Sequence, residues 1–161
     1  MPMRKAHAHA CADNKTVRSP APTLFAWLAL DKGDNAPARF WAYVVAALRE
    51  VRPDIGQAAL AMLQTPQPAS EASQADWLKT ILTDLLNELA LAGPAPLVLV
   101  LDDLYVIENS LVHDELAFWL EHLPLPAHLV VSSRADPPWL PARWRSRCQI
   151  KGSRHFSGLL D

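Results

Sequence analysis

Apolar and polar residues form blocks along the chain, and these blocks predict strands that alternate with helices. Three short apolar runs have the length of a buried strand, namely residues 23–30, 97–101 and 128–133. Four longer stretches carry apolar side chains at helical spacing, namely residues 37–51, 54–63, 76–92 and 111–123. The order strand, helices, strand, helix, strand predicts an α/β fold with a parallel sheet of about three strands covered by helices.

Polar residues before two of the helices predict how those helices begin. The string DKGDN at residues 31–35 reads as a turn, and Asp34 or Asn35 is placed to cap the helix that follows. Before the third helix, Ser73 and Asp76 have the S-x-x-D spacing of a capping box. We therefore expect the third helix to begin near Asp76.

The strand at residues 97–101 (LVLVL) is apolar at every position and is followed by Asp102 and Asp103. Apolar side chains on both faces predict burial on both faces, as in a parallel sheet covered by helices. In open α/β sheets ligands bind outside the carboxyl ends of the strands, where carboxylates can hold Mg²⁺ against nucleotide phosphates. The pattern predicts a Walker B strand with Asp102 as a metal ligand. A purely structural reading, in which the acid caps a turn or a helix, stays open.

Ser133 and Arg134 end the next predicted strand, so we expect them beside the two aspartates. An arginine at that position can contact a terminal phosphate with its fixed fork of donors. The alternative is a salt bridge from Arg134 to Asp102 or Asp103, and the spacing alone does not separate the two.

A phosphate-binding loop has the compact pattern G-x-x-x-x-G-K-[ST], and this pattern is absent from the chain. None of the five glycines stands in that spacing before a lysine. No G-x-S-x-G elbow surrounds Ser132 or Ser133 either, so a hydrolase triad is unsupported. A small Mg²⁺-dependent hydrolase built on Asp102 and Asp103 ranks last, because no nucleophile or general base is evident. We assign no catalytic residue.

Composition narrows the class of protein. The net charge of -2 shows no basic excess that would indicate a nucleic-acid surface. Cys11 and Cys148 lie near opposite ends of the chain and form no CxxC pair, which favours a reducing, cytoplasmic setting. No apolar run reaches the roughly 18 residues that a membrane span needs, and no apolar stretch follows Arg4 and Lys5, so a secretory signal is not supported.

We expect two histidines and the tryptophans to have structural rather than functional roles. His113 and His122 flank a predicted helix and are expected on the surface. The six tryptophans are expected to fill the core or its rim. Residues 139–147 combine arginines with two tryptophans and could form a short basic helix, which we interpret as a solvated face rather than an anion site.

Three separated strings together resemble one family of bacterial proteins. WLALDKGDN at residues 27–35 with PARFW at 37–41 is similar to the segment that follows the P-loop helix in MalT-type regulators. The strand and acid pair at residues 97–103 resembles their Walker B strand. The string HLVVSSRADPPWLPARWRSR at residues 128–147 resembles their sensor segment. The three strings occur in the family's order, and the resemblance covers roughly residues 25–149.

MalT-type regulators are LuxR-family, ATP-dependent transcriptional regulators of the STAND class of P-loop NTPases. The resemblance implies a slow ATPase switch domain that uses ATP and Mg²⁺, followed in the family by a helical sensor region and a DNA-binding helix-turn-helix. It implies that Asp102 and Asp103 are the Walker B acids that position Mg²⁺. It also implies that Arg134, with Ser133 before it, is the sensor residue near the terminal phosphate.

Because the P-loop pattern is absent and the resemblance ends near Gln149, we expect a truncated piece of that nucleotide-binding domain. The expected division is an irregular leader at residues 1–22, a partial nucleotide-binding domain at 23–149 and an unassigned tail at 150–161. Without the P-loop, ATP binding should be weak or absent, and an active enzyme is not expected. An open sheet edge would invite self-association or pairing with a related regulator. Neither autonomous DNA binding nor membrane association is expected.

Overall fold

The computed structural model describes residues 22–134, which form an α/β unit. Its strands and helices, in chain order, are β1 (Leu24–Ala29), α1 (Pro37–Val51), α2 (Gln57–Leu63), α3 (Glu71–Leu91), β2 (Leu97–Asp102), α4 (Ser110–His122) and β3 (Ala127–Val131). Two short 3-10 helices, Lys32–Asn35 and Leu104–Val106, follow β1 and β2. The predicted fold class is confirmed. Cys11, Cys148 and residues 139–147 lie outside the described residues.

The sheet has three parallel strands in the order β1-β2-β3. Leu24 pairs with Leu97 at one end of β2, and Leu101 pairs with Val131 at the other. The crossovers from β1 to β2 and from β2 to β3 step in the same direction. Right-handed crossovers that step in one direction place their helices on the same face of the sheet.

The hydrophobic core lies on that helix-covered face. Its centre is aromatic: Trp41 on α1 packs edge-on against Phe40 and against Trp119 on α4, with ring centroids 5.3 and 5.7 Å apart. From the sheet, alternate residues contribute, including Ala26 on β1 and Leu99 on β2. Trp41 and Trp119 are almost fully buried, which agrees with the expectation that tryptophans fill the core.

The opposite face of the sheet carries apolar side chains that do not belong to the core. The register places five of them together, and we call this set the open face: Phe25, Trp27, Val98, Val100 and Val130. None of the five belongs to the core cluster formed by residues 22–134. Val100, at the centre, is buried between its neighbours, whereas Trp27 is 45% exposed and Val130 is 49% exposed. The prediction that β2 is apolar on both faces is correct, but within the described part of the chain helices cover one face.

Two capping predictions are wrong. Helix α3 begins five residues earlier than expected because Ser70, whose side chain accepts a hydrogen bond from the Ser73 backbone N–H, is its N-cap. The N-cap of α1 is Ala36, which has no side-chain cap; Pro37 at the first position of the helix lacks the N–H that a cap would satisfy. Neither Asp34 nor Asn35 therefore caps α1.

The prediction that His113 lies on the surface is also wrong. His113 is only 7% exposed, and its Nε2 lies 2.7 Å from the Ile107 carbonyl oxygen. That carbonyl gives the imidazole the polar partner that burial requires. His122, by contrast, is exposed as expected.

Candidate functional site

Backbone hydrogen bonds bring the carboxyl ends of all three strands together. The Leu30 N–H donates to the Asp102 carbonyl oxygen at 3.1 Å, which joins the end of β1 to the end of β2. The Ser132 N–H donates to the Leu101 carbonyl oxygen at 2.8 Å, and the Leu104 N–H donates to the Ser132 carbonyl oxygen at 3.0 Å. The segments that carry the predicted site residues therefore lie side by side at one edge of the sheet.

The two aspartates differ in backbone conformation. Asp102 is the last residue of β2, and its Oδ1 accepts a hydrogen bond from the Asp103 backbone N–H at 3.1 Å. Asp103 has φ 60° and ψ 38°, the left-handed region that residues with a Cβ rarely adopt. Both side chains are half-buried. Strained backbone of this kind is often found at functional sites, where the surrounding structure holds it in place.

Arg134 lies over an aromatic ring. Its guanidinium carbon is 5.1 Å from the centroid of Tyr105, within the distance for a cation–π interaction. Among the residues that the structure describes, Arg134 forms no ion pair with Asp102 or Asp103, so the geometry favours ring stacking over the salt-bridge alternative. Ser133, half-buried, precedes it.

Tyr105 is the residue at this edge that the sequence reasoning missed. It lies in the 3-10 helix Leu104–Val106 directly after the acid pair, and it is 38% exposed. Its position in the sequence could have identified it, because an aromatic residue two places after Asp103 lies at the same edge of the sheet as the acid pair. Tyr105 holds the guanidinium of Arg134 beside the segment that carries the acids.

The turn after β1 is held by two acids that cap it. The Asp31 side chain accepts from the Gly33 N–H at 2.7 Å, and the Asp34 side chain accepts from the Asp31 N–H at 2.8 Å, which completes a capping box. Arg39 adds a hydrogen bond from Nη1 to the Gly33 carbonyl oxygen at 3.0 Å. The side chains of Asp31, Asp34 and Arg39, all within the family-resembling segment at residues 27–41, thus shape this turn.

Asn35 joins this turn to the segment after β2. Its Nδ2 donates to the carbonyl oxygens of Lys32 and Val106, both at 3.0 Å. Its Oδ1 accepts from the backbone N–H groups of Glu108 and Asn109, at 2.7 and 3.1 Å. The string that resembles the family therefore contains a residue that sets the spacing between two strand ends.

The acid pair fits one part of a Mg²⁺–nucleotide site. Mg²⁺ keeps several waters and is typically held by one or two carboxylates together with substrate phosphates, and Asp102 and Asp103 can supply those carboxylates. No group of three or more histidine, cysteine, aspartate or glutamate side chains able to hold a metal occurs within residues 22–134. Oxygen ligands from phosphate and water would complete the coordination of a Mg²⁺ ion held by this pair. The sequence contains no G-x-x-x-x-G-K-[ST] pattern, whose backbone amides would cradle the phosphates.

Membrane-spanning helices were also sought. Within residues 22–134, none of the helices has both the length and the apolar character needed to cross a bilayer.

The parallel sheet with helices on one side and acids at its carboxyl edge defines an α/β unit consistent with part of a P-loop-like domain. Comparison with curated proteins then identifies relatives. The chain is 38% identical over 128 residues to HTH-type transcriptional regulator MalT of Cronobacter sakazakii. It is 38% identical over 124 residues to the proteins of the same name from Klebsiella pneumoniae subsp. pneumoniae and from Klebsiella pneumoniae strain 342.

The matches cover 77–80% of this chain, which is homologous to a segment of the MalT-type regulators. The resemblance inferred from the three strings is thereby confirmed. The chain spans 13% of the length of each of these relatives. No family model matches the chain.

Proposed function

We propose that this chain is the Walker B and sensor part of the ATP-binding switch domain of a MalT-type, cytoplasmic transcriptional regulator. In this proposal Asp102 and Asp103 position Mg²⁺, while Arg134 and Ser133 face the terminal phosphate. The observation that carries it is the hydrogen-bonded edge at which the ends of β2 and β3 meet, next to the acid pair. Homology to regulators named MalT supports the regulatory role.

The proposal includes weak or absent ATP binding by the chain alone. In P-loop proteins, backbone amides of the glycine-rich loop cradle the phosphates, and its lysine reaches the terminal groups. Two carboxylates repel phosphate unless Mg²⁺ lies between them, so the acid pair does not replace that loop. ATP hydrolysis is not expected, since the sequence shows no evident nucleophile or general base.

Calorimetric titration with ATP and Mg²⁺ tests the nucleotide site. The full chain is compared with an Asp102→Asn, Asp103→Asn double variant and with Asp76→Asn, Asp84→Asn, which removes two exposed aspartates from α3. If the acid pair still forms a site, binding is lost in the first variant and kept in the second. Equal binding of ATP by all three proteins would contradict the role of the acid pair. Binding of ATP by the parent that is tighter than micromolar would contradict the proposal that its affinity for ATP is weak.

A second candidate function is an interaction module that self-associates or pairs with a related regulator. The outer strands β1 and β3 each pair on one side only within the described residues, which leaves backbone N–H and C=O groups at both edges. Such edges are templates for strand pairing. Sedimentation velocity over a range of protein concentrations, with and without ATP, separates the candidates: concentration-dependent assembly that ignores ATP favours the module, and a constant monomer excludes it.

Autonomous, sequence-specific DNA binding is not part of either candidate. The net charge of -2 provides no basic excess to neutralise phosphates. A gel-shift assay in which the chain forms one discrete, salt-resistant complex with a promoter fragment would overturn this expectation.

A further inference from the structure

Tyr105 gives the guanidinium of Arg134 an aromatic partner instead of a charged one. The Arg134 guanidinium carbon lies 5.1 Å from the centroid of the Tyr105 ring. Within residues 22–134, Arg134 forms no ion pair with Asp102 or Asp103, although both acids end the neighbouring strand. The ring therefore holds the guanidinium at the carboxyl edge of the sheet while the two carboxylates stay unpaired with it.

The backbone on both sides of Tyr105 is fixed to other parts of the fold. The Leu104 N–H donates to the Ser132 carbonyl oxygen at 3.0 Å, which joins one side to the end of β3. The Val106 carbonyl oxygen accepts from Asn35 Nδ2 at 3.0 Å, which joins the other side to the turn after β1. The ring thus has a defined position relative to the end of β3, from which the guanidinium extends.

Electrostatic attraction alone favours a different position for the guanidinium. Leu101 and Val131 are partners in the sheet register, so the acids that follow the first lie beside the residues that follow the second. Both acids are half-buried, and partial burial reduces the solvent screening that weakens their attraction to a cation. An exposed ion pair and an exposed cation–π contact are similar in strength, so removing the ring is enough to turn Arg134 toward the carboxylates.

We propose that Tyr105 is a positioning residue: its ring keeps the Arg134 guanidinium off the acid pair, which leaves the carboxylates open to Mg²⁺ and the guanidinium open to a terminal phosphate. This inference rests on the proposed function, in which Asp102 and Asp103 hold the metal and Arg134 contacts the phosphate. Without the ring, the guanidinium pairs with the carboxylates and competes with the metal. Tyr105 acts through Arg134.

Mn²⁺ is the probe that tests this competition, because it takes the same oxygen ligands as Mg²⁺ and broadens the NMR signals of nearby amides. Broadening of the Asp103 amide signal is followed in the full chain during titration with Mn²⁺. The amides of Asp76 and Asp84, which are exposed on α3, report nonspecific binding to carboxylates.

Three variants separate the ring from the guanidinium. We expect Tyr105→Leu to bind Mn²⁺ at the acid pair about threefold more weakly, the factor by which an exposed ion pair of ordinary strength competes. Tyr105→Phe keeps the aromatic ring and should bind like the parent. The double variant Tyr105→Leu, Arg134→Gln should regain the lost binding, because the competing cation is gone.

The Nε–H signal of Arg134 reports the position of the guanidinium without any metal. Stacking on the face of an aromatic ring shifts this signal upfield. The upfield shift should be present in the parent and in Tyr105→Phe, and it should be lost in Tyr105→Leu.

Three results would overturn the proposal. Equal Mn²⁺ binding by the parent and Tyr105→Leu would mean that the ring does not keep the guanidinium off the acids. Weakened binding that persists in the double variant would mean that Tyr105 supports the edge without acting through Arg134. An Arg134 Nε–H signal that is the same in Tyr105→Leu as in the parent would mean that the ring does not position the guanidinium.

Failure of the proposed function gives a different result. If Mn²⁺ does not broaden the Asp103 signal of the parent more than those of Asp76 and Asp84, the acid pair is not a metal site. The Arg134 Nε–H signal then decides the positioning role by itself, because it is measured without metal: its loss of upfield shift in Tyr105→Leu supports the role, and an unchanged signal overturns it.

Discussion

The side chain of Asn35 accepts a hydrogen bond from the backbone N–H of Glu108 at 2.7 Å, across 73 residues of sequence. The same amide donates to the Val106 carbonyl oxygen at 3.0 Å. One side chain thus satisfies both a donor and an acceptor in the segment between Asp103 and α4, and ties that segment to the turn after β1. A side chain that is not part of the sheet therefore stabilises the arrangement of the segments at its carboxyl edge.

Replacing Asn35 with alanine should destabilise the chain by about 2 kcal/mol, because partly buried backbone groups around Val106 and Asn109 lose their partner. Asn35→Asp should have an intermediate effect, since the carboxylate keeps the accepted bonds but cannot donate. Urea unfolding measures the change. Asn87→Ala, at an exposed position of α3, is the control and should leave stability nearly unchanged. A parent-like midpoint for Asn35→Ala would show that the bridge contributes nothing.

Two glycines with positive φ should respond very differently to the same substitution. A Cβ at Gly56, with φ +74°, would lie 2.6 Å from Val45 Cγ1 on α1, whereas a Cβ at Gly93, with φ +88°, meets nothing within 4 Å. Gly56→Ala adds overpacking to the backbone strain, so we expect a loss of about 3 kcal/mol. Gly93→Ala adds the strain alone and should cost about 1 kcal/mol.

Urea unfolding of both glycine variants checks this difference. Gly93→Ala is the matched control because it carries the cost of the left-handed backbone without any contact. The difference between the two variants is therefore the cost of the contact with Val45. Equal losses at the two positions would mean that α1 moves to accommodate the new methyl group. A Gly56→Ala, Val45→Ala double variant should recover part of the loss by removing the atom in conflict.

The elements of this fold follow from local signals, and the sequence predicts those well. Helix α1 has the predicted bounds because Pro37 begins it and the apolar spacing from Phe40 onward has one interpretation. The start of α3 was wrong because Ser70 and Ser73 both precede a helical pattern, and only the backbone geometry shows which of them accepts the capping hydrogen bond.

The candidate site was predicted in part, for a related reason. Parallel strands align their carboxyl ends, so the proximity of the segments carrying Asp102 and Arg134 follows from the strand order. The bridge made by Asn35, the buried contact of His113 with Ile107 and the stacking of Arg134 on Tyr105 depend on the packing of loops. No periodic pattern encodes such contacts, so they were missed.

The left-handed backbone of Asp103 predicts opposite effects of one substitution at neighbouring aspartates. Asp103→Gly should stabilise the chain by up to about 1 kcal/mol, because glycine adopts φ 60° without strain. Asp102→Gly, at the end of β2, should destabilise it by about 0.5–1 kcal/mol, because glycine weakens a strand. Thermal unfolding of both variants distinguishes the cases. If Asp103→Gly is less stable than the parent, the Asp103 side chain stabilises the fold by more than its backbone strain destabilises it.

Glu115 should make stability depend on pH in an unusual direction. Glu115 on α4 is only 6% exposed, and its Oε2 has no hydrogen-bond partner among the described residues. Burial raises the pKa of Glu115 from 4.5 to about 7; Lys79 on α3 opposes the shift, and the neighbouring Asp114 adds to it. Below about pH 7 the folded chain therefore holds this carboxyl group in its protonated, neutral form.

The sign of the effect follows from proton binding. Between pH 4.5 and about 7 the folded state holds a proton that the unfolded state releases, so the free energy of unfolding falls as the pH rises through this window. The contribution is fully present below pH 4.5 and is lost above pH 7, up to about 3 kcal/mol in all. Glu115→Gln mimics the neutral form, so its advantage over the parent should be small at pH 4.5 and largest at pH 8.

Urea unfolding of the parent and Glu115→Gln at pH 4.5 and pH 8 tests this window. Glu121→Gln, at an exposed position of the same helix, is the control and should follow the parent at both pH values. A constant difference between Glu115→Gln and the parent would mean that the carboxyl group does not titrate in this range. A parent that is more stable than Glu115→Gln at pH 8 would mean that Glu115 is charged in the folded chain, with Lys79 as the partner that outweighs burial.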